Sequence, residues 1–235
     1  MASDMMKIES ERSLDEKRKV YRAASSLTVE EKRKLLNKLY AEWVQDNNYD
    51  KDMTVLGYTG HIRIVDLVSQ YIPDKSARLL DGGCGTGLLG QELYRRGYHA
   101  ADGLDPFTEC LDASREKGVY ANYICESLGP NRLPIQDDTY DGICMTAAVG
   151  NIHIQLDCFP ELIRITKPGG YIIFNVAEAN IVDGQTCGSG KLDDCLHKTA
   201  AKGCWEYLEK RRNVLLKSRS DGQIEYCYAF VLRIL

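Results

Sequence analysis

The sequence predicts an α/β fold in which helices cover both faces of a mostly parallel sheet. Residues 78–80 form an apolar run that ends in Asp81 and leads through glycines into a helical stretch at 88–96. A second apolar run ends at Asp105, where a strand-helix-strand unit brings the next strand end beside the first. A third run, at 140–145, is apolar enough to be buried on both faces, as strands of parallel sheets are.

The turn between the first strand and its helix predicts a ligand site. Glycine supplies positive φ angles and lets a ligand approach the backbone without meeting a Cβ atom. The free N–H groups of the turn and the positive end of the following helix then face that ligand.

The turn can be interpreted in two registers. Gly85, Gly87 and Gly90 give the dinucleotide pattern G-x-G-x-x-G, with Asp105 in the position of a ribose-binding acid. The other register begins at Asp81 and has glycine at every second residue from Gly83. A carboxylate at the mouth of the turn repels a pyrophosphate but suits a ligand with a cationic amino group. This favours S-adenosylmethionine over NAD.

Three separated motifs occur in a fixed order along the chain. They are Asp81-Gly82-Gly83-Cys84-Gly85-Thr86-Gly87, then Gly103-Leu104-Asp105, then Lys167-Pro168-Gly169-Gly170 before an apolar strand. In this order they resemble the class I S-adenosylmethionine-dependent methyltransferase family, over roughly residues 77 to 176. The resemblance implies a Rossmann-like, seven-stranded, mostly parallel sheet with an N-terminal helical cap and a C-terminal antiparallel hairpin.

A narrower resemblance lies upstream of the glycine turn. Leu39-Tyr40-Ala41-Glu42-Trp43 and Tyr49-Asp50-Lys51-Asp52 resemble the N-terminal signature of small-molecule members of the family. More narrowly, they resemble the methyltransferase-like proteins named after the Williams–Beuren chromosomal region. The resemblance implies a small-molecule methyl acceptor and S-adenosylhomocysteine as product, but it names no acceptor.

The family resemblance also implies the cofactor contacts. Asp81 would meet the methionine end directly or through a water, Asp105 the ribose hydroxyls, and Ser127 with Leu128 the adenine. Asp105 has an alternative interpretation as a strand-end acid that caps the next helix. The full set of expected cofactor-binding residues is Asp81, Gly82, Gly83, Gly85, Gly87, Asp105, Pro106, Ser127, Leu128 and Thr146.

The loop at residues 146–153 should face the transferable methyl group. It lacks the Asn/Asp-Pro-Pro-Tyr motif typical of enzymes that methylate DNA bases or glutamine, which disfavours those acceptors. His153 is the candidate general base for a hydroxyl or thiol, and the alternative is a histidine that lines the loop without titrating. The candidate acceptor contacts are Tyr40, Tyr49, Asn151, His153 and Asn175, the two tyrosines because the family folds this segment over its site as a lid.

Composition limits the partners. The 235 residues carry a net charge of −4, so no general attraction to nucleic acid or anionic membrane is expected. Nine cysteines occur without any C-x-x-C pair, which predicts no metal site and favours reduced, buried thiols in a cytoplasmic protein. No signal core or membrane-spanning stretch is predicted, and the oligomeric state is left open.

The chain divides into a polar segment and one domain. Residues 1–27 are expected to be solvated and frayed. A capping box, Thr28 to Glu31, starts a helix to about residue 46, while residues 49–52 are predicted to form a loop. The predicted parts are a helical cap at 28–76, a cofactor-binding core at 77–180, an excursion at 181–204 and a closing hairpin at 205–235.

Two alternatives to a methyltransferase remain at this stage. One is a nicotinamide-dependent oxidoreductase that uses Gly85, Gly87 and Gly90. The acid within the turn, the Lys-Pro-Gly-Gly motif and the lack of a convincing proton relay argue against it. The other is a protein that binds the cofactor without turnover, because methyl transfer leaves no obligatory catalytic side chain to look for.

Overall fold

A seven-stranded mixed sheet organises the computed structural model, which describes residues 2–150, 152–182, 187, 190–217 and 223–235. The strand order is β3-β2-β1-β4-β5-β7-β6. The strands are β1 (Leu79–Gly82), β2 (Ala101–Leu104), β3 (Asn122–Ile124), β4 (Tyr140–Met145), β5 (Thr166–Ala177), β6 (Trp205–Leu216) and β7 (Glu225–Ile234). This confirms the predicted α/β fold with a seven-stranded, mostly parallel sheet.

The first five strands are parallel, and β7 and β6 add an antiparallel hairpin at one side. The strand order reverses between β1 and β4, which is the position where open α/β sheets bind ligands at the carboxyl ends of their strands. The Lys167-Pro168-Gly169-Gly170 motif lies in the irregular start of β5, with Gly169 at φ 81°. The sheet therefore presents the glycine turn at its crossover point.

The helices lie before, between and after the strands. They are α1 (Ala2–Ala23), α2 (Val29–Trp43), α3 (Asn48–Val55), α4 (Gly60–Tyr71), α5 (Leu88–Arg95), α6 (Thr108–Lys117), α7 (Phe159–Ile165), α8 (Glu178–Val182) and α9 (Lys191–Ala201). Successive strand residues point to opposite faces of the sheet. Leu79 thus packs with α4 and α5, whereas Leu80 packs in the cluster that contains α7 and α9. Both faces of the sheet are therefore covered, as predicted.

The N-terminal segment is ordered, which corrects the expectation of a frayed tail. Residues 2–23 form α1, and the buried Leu14 packs with Trp43 and Met53 of the cap and with Leu216 of β6. The segment is polar because most of this helix faces solvent. Only one apolar stripe is needed to attach it to the cap.

The loop predicted at residues 49–52 is helical, since these residues form part of α3. Asp46 and Asn47 adopt left-handed conformations at φ 51° and 60°, so the chain turns sharply between α2 and α3. The Thr28–Glu31 capping box at the start of α2 is confirmed. The sequence marked the beginning of α2, but the polar residues that follow its end belong to a turn and a new helix.

Several predicted features fall partly outside the described residues. Residues 218–222 of the predicted closing hairpin lie there, as do residues 183–186, 188 and 189 of the predicted excursion. None of the described helices is long and apolar enough to cross a membrane. Within the described ranges no group of three or more His, Cys, Asp or Glu side chains is arranged to hold a metal ion. The cysteines are free thiols, and six of them are buried.

The ring of Tyr120 packs between the sheet and α5, the helix that follows the glycine turn. A Cβ atom at Gly90 would lie 2.3 Å from its ring, and one at Gly103 would lie 2.7 Å away. The hydroxyl of Tyr120 donates to Asp81 and accepts from the backbone N–H of Gly90. Both glycines are therefore required for the close approach of α5 and β2 to this ring.

We expect Gly90→Ala to lower the free energy of unfolding by ~1–3 kcal/mol, because a methyl group cannot enter this packed position without displacing the ring. Chemical denaturation measures the loss. Tyr120→Leu is the partner variant in a double-mutant cycle, since it removes the atoms that the new methyl group meets. Additive effects of the two substitutions would contradict the proposed clash.

Candidate functional site

The glycine turn is built as the sequence predicted, with a backbone that only glycine adopts readily. Gly83, Gly85 and Gly87 have φ angles of 74°, 52° and 87°. An added Cβ at Gly83 would come within 2.9 Å of Ala148, whereas one at Gly85 would find no protein atom within 4 Å. The turn therefore packs on the loop after β4 and leaves bare backbone at Gly85.

Asp105 clamps this turn to the end of β2. Its carboxylate accepts from the backbone N–H of Gly85 at 2.9 Å and from that of Phe107 at 3.0 Å. Burial raises the pKa of Asp105 to about 6, although both backbone donors act in the opposite direction. The hydrogen bond from Phe107, the residue before α6, agrees with the helix-capping interpretation of Asp105. The same carboxylate also holds the glycine turn through Gly85.

Asp81 lies beneath the turn rather than at its mouth. Its side chain is completely buried, and one oxygen accepts from the hydroxyl of Tyr120. The other oxygen has no hydrogen-bond partner among the described residues. Burial raises the pKa of Asp81 to about 7, opposed by the hydrogen bond from Tyr120. Asp81 therefore supports the turn through Tyr120 and leaves one acceptor atom unused.

A cavity of about 420 Å³, here called the turn cavity, opens beside Gly83, Gly85 and Asp105. Side chains of α2 close one side of it, including Val29 and Leu36. The cavity is also lined by four other predicted cofactor contacts, Pro106, Ser127, Leu128 and Thr146. The predicted cofactor residues thus converge on one space, apart from Asp81, Gly82 and Gly87, which line neither cavity described here.

A second cavity of about 430 Å³, the cap cavity, lies under α1 and beside the hairpin. Its lining combines side chains of the cap with Leu215, Leu216 and Glu225 of β6 and β7. The aromatic residues that line it are Tyr21, Tyr40, Trp43, Tyr49 and Tyr58. It is therefore a mainly apolar space with charged groups at a few positions.

The two cavities share a set of lining residues, here called the shared wall. These are Tyr40, Tyr49, Ala147, Ile152 and His153. Tyr40 and Tyr49, on the cap, thus stand opposite the loop after β4. The same five residues therefore border both cavities.

Two polar groups of the shared wall, on Tyr40 and His153, form a chain with the hydroxyl of Tyr21. The hydroxyl of Tyr40 lies 3.0 Å from Nε2 of His153 and 3.2 Å from the hydroxyl of Tyr21. Burial lowers the pKa of His153 to about 4 and raises the pKa of Tyr40 well above its ordinary value. All three groups are therefore neutral at pH 7, and they offer hydrogen bonds rather than charge.

Asn175, a predicted acceptor contact, lines neither cavity. Asn175 is completely buried, accepts from the backbone N–H of Ala147 at 2.7 Å and donates to Thr146 and Gly60. It positions the loop after β4, where Ala147 has a positive φ of 53°. Asn151 lies outside the described residues.

Other functional side chains escaped the sequence analysis. Asp50 of α3 accepts from the Thr86 hydroxyl at 2.6 Å and forms an ion pair with Lys117, which ties the cap to the glycine turn. Tyr58 lines the cap cavity and lies 2.7 Å from the Thr146 hydroxyl. These contacts join distant parts of the chain, so the sequence signature that contains Asp50 did not predict its partners.

We expect Asp81→Asn to flatten the pH dependence of stability. Because the folded protein binds a proton on Asp81 up to about pH 7 and the unfolded chain only up to about 3.8, stability falls as the pH rises through this window. Denaturation at several pH values should show that fall reduced by ~2–4 kcal/mol in the variant. A pH profile identical to that of the wild type would contradict the raised pKa.

Comparison with known proteins shows what the central part of this chain is similar to. A model described as a methyltransferase domain matches residues 80–174. Methyltransferase-like protein 27 from Homo sapiens is 33% identical over 135 residues, which are 57% of this chain and 54% of that protein. A malonyl-acyl-carrier-protein O-methyltransferase from Erwinia pyrifoliae is 33% identical over 103 residues, 44% of this chain and 38% of its own. The chain thus spans about half the length of these relatives or less.

The fold agrees with this similarity. A crystal structure of an S-adenosylmethionine-dependent methyltransferase from Aquifex aeolicus superposes with a TM-score of 0.54 at 18% identity, covering 73% of this chain and 89% of that one. The matched domain begins in β1 and ends in β5, so it contains the glycine turn, Asp105 and the loop after β4. Residues 80–174 are thus similar to methyltransferase domains, and the fold around them is one that S-adenosylmethionine-dependent methyltransferases adopt.

Proposed function

We propose that this protein transfers a methyl group from S-adenosylmethionine, bound in the turn cavity, to a small-molecule nucleophile held in the cap cavity. The observation that carries the proposal is the shared wall. Two cavities of similar volume meet at five residues, one beside the glycine turn and the other beneath the cap. The size of the cap cavity suits a small acceptor.

The residues around the turn cavity fit the cofactor. Gly85 presents bare backbone where an added Cβ would project into open space, and Asp105 beside it offers carboxylate oxygens. Above about pH 6, Asp105 is ionised and suited to accept from ribose hydroxyls. Ser127 and Leu128 follow β3 and supply a polar and an apolar surface for the adenine.

When bound, S-adenosylmethionine supplies a methyl group on a cationic sulfur, which passes to the acceptor's lone pair as the carbon–sulfur bond breaks and its electrons return to sulfur. The apolar residues of the shared wall favour this step, because a charge dispersed in the transition state is less penalised by a low-dielectric surrounding. Alignment of two bound reactants contributes up to roughly 7–11 kcal/mol. Positioning is therefore the main task of the chain.

His153 is better suited to orient the acceptor than to remove its proton. With a pKa of about 4 the imidazole is neutral at pH 7, yet it is too weak a base for an alcohol. Tyr40 and His153 instead offer hydrogen bonds to a nucleophile at the shared wall. Nucleophiles that arrive ionised, such as carboxylates, phenolates and thiolates, need no base. The name of the Erwinia relative, an O-methyltransferase, supports oxygen among them.

We expect Asp105→Asn to weaken the binding of S-adenosylhomocysteine at least tenfold, since the amide accepts from only one of the two backbone N–H groups and loses the charge that meets the ribose. Titration calorimetry measures the affinity, and circular dichroism verifies the fold. Asp102→Asn is the matched control, because Asp102 is a buried acid of β2, the strand that precedes Asp105, and lines neither cavity. Equal affinities of the Asp105 variant and the wild type would contradict the ribose assignment.

The proposed function is tested by binding followed by transfer. The wild type should bind S-adenosylmethionine and S-adenosylhomocysteine but not NADH, and it should methylate members of a panel of small acids, phenols, thiols and amines, followed by mass spectrometry. Ala177→Phe, which fills the cap cavity only, should abolish transfer and leave the affinity for S-adenosylhomocysteine unchanged.

Ala113→Phe is the control for that substitution, because Ala113 is partly buried on α6 and lines neither cavity. Binding of NADH alone would mean that the glycine turn is a dinucleotide site with the G-x-G-x-x-G pattern of Gly85, Gly87 and Gly90. Cofactor binding without transfer to any member of the panel would favour a protein that binds the cofactor without turnover.

A further inference from the structure

Tyr49 presents a hydroxyl group without a partner at the shared wall. The residue lines both cavities, and its ring packs against that of Trp43 at a centroid distance of 4.8 Å. The hydroxyl of Tyr40 contacts Tyr21 and His153. The hydroxyl of Tyr49, in contrast, makes no hydrogen bond to any residue that the structure describes. Its proton is therefore available to a ligand.

A second unused proton lies in the group formed by Tyr58, Thr146 and Asn175. The side-chain amide of Asn175 has a fixed orientation, because its oxygen accepts from the backbone N–H of Ala147 and its nitrogen donates to the carbonyl of Gly60. The same nitrogen donates to the hydroxyl of Thr146 at 3.2 Å. The hydroxyls of Thr146 and Tyr58 lie 2.7 Å apart, and the bond between them uses only one of their two protons. The other proton has no acceptor among the described residues.

The hydrogen bonds assign this unused proton to Tyr58. Thr146 already accepts from Asn175, and a hydroxyl that accepts one hydrogen bond is polarised into a stronger donor. Thr146 then donates to the oxygen of Tyr58, whose own proton stays available. Because Tyr58 lines the cap cavity and not the turn cavity, this proton is offered to the space assigned to the acceptor.

Both tyrosines are neutral donors at physiological pH. Burial raises the pKa of Tyr49 and that of Tyr58, and the proximity of Tyr58 raises the pKa of Tyr49 further. A buried hydroxyl proton without an acceptor is costly, whereas a ligand oxygen that has lone pairs and no proton satisfies it. A carbonyl oxygen has two lone pairs and can therefore accept from both hydroxyls.

We propose that the methyl acceptor carries a carbonyl oxygen next to its nucleophile, and that Tyr49 and Tyr58 bind this oxygen by donating to it. The nucleophile then lies at the shared wall beside Tyr40 and His153. This acceptor class rests on the proposed function, since it assigns the cap cavity to the acceptor. Tyr49 and Tyr58 are then specificity-determining residues.

A carbonyl group in this position also suits a site without a strong base. A nucleophilic O–H conjugated with a carbonyl is more acidic than an alcohol, because the negative charge of its anion is shared between the two oxygens. Hydrogen bonds to the charged form favour it and lower the pKa of the acceptor further. Such a nucleophile arrives ionised, which agrees with the lowered pKa of His153.

Two probes of the same shape test the carbonyl site. Acetophenone has a carbonyl oxygen where 2-phenylpropene has a methylene group. Both probes are titrated by ligand-observed NMR into the whole chain, saturated with S-adenosylhomocysteine. The ratio of their affinities, compared between variants, reports the hydrogen bonds to the oxygen, because the two probes bury nearly the same surface.

Removal of either hydroxyl should lower the relative affinity for the ketone. Tyr49→Phe and Tyr58→Phe are each expected to reduce the ratio of acetophenone to 2-phenylpropene affinity about three- to tenfold, the effect of one hydrogen bond. Tyr98→Phe is the matched control, because Tyr98 is buried, donates to the carbonyl of Ile72 at 2.6 Å and lines neither cavity. An unchanged ratio in either variant would overturn the role of that tyrosine, and an equal fall in the control would overturn both.

Thermal stability separates recognition from a structural role. Without ligand, Tyr49→Phe should leave the melting temperature unchanged or raise it, because its hydroxyl has no partner among the described residues to lose. Tyr98→Phe should lower the melting temperature, because it removes a buried hydrogen bond. A lowered melting temperature of the Tyr49 variant, with an unchanged affinity ratio, would mean that this hydroxyl serves the fold alone.

Failure of the acceptor class can be told apart from failure of the proposed function. If S-adenosylhomocysteine does not bind, the proposed function is overturned, and the acceptor class falls with it. If S-adenosylhomocysteine binds but neither probe binds the wild type, or both tyrosine variants keep the wild-type ratio, only the acceptor class is overturned.

Discussion

The buried hydroxyl of Tyr120 is the interaction on which the site depends. It donates to Asp81 at the end of β1 and accepts from Gly90 in the first turns of α5, so it fixes the glycine turn between them. The ring fits because Gly90 and Gly103 have no side chain. A fully buried carboxylate is expensive unless it is hydrogen-bonded, and here one oxygen is satisfied while burial keeps the pKa high. The turn is thus held rigidly from below.

The opposite side of the turn is held by the cap. Asp50 of α3 reaches Thr86 inside the turn, and Asp105 fixes the neighbouring Gly85. Trp43 donates to Asp52 at 2.8 Å, which attaches α2 to α3. A cap connected to the turn by side-chain hydrogen bonds forms the roof of both cavities.

The polar groups at the shared wall are neutral, which agrees with a reaction that consumes charge. Burial disfavours the charged form of both residue types, because it lowers the pKa of His153 and raises the pKa of Tyr40. Charge is instead placed at the two far ends, on Asp105 in the turn cavity and on Arg18 with Glu225 in the cap cavity. The side chains between these two ends, at the shared wall, are neutral.

Local patterns in the sequence determined the strand-turn-helix unit, the Thr28 capping box and the strand end at Asp105, because these depend on residues that are neighbours along the chain. The seven-stranded arrangement came from resemblance. The tertiary structure alone decided that α1 roofs a cavity, that Asn175 supports a loop, and that Tyr120 holds Asp81. The decisive contacts, such as Tyr40 with His153 and Arg18 with Glu225, join residues 113 and 207 positions apart. Such pairs depend on how whole elements pack, which no short stretch of sequence encodes.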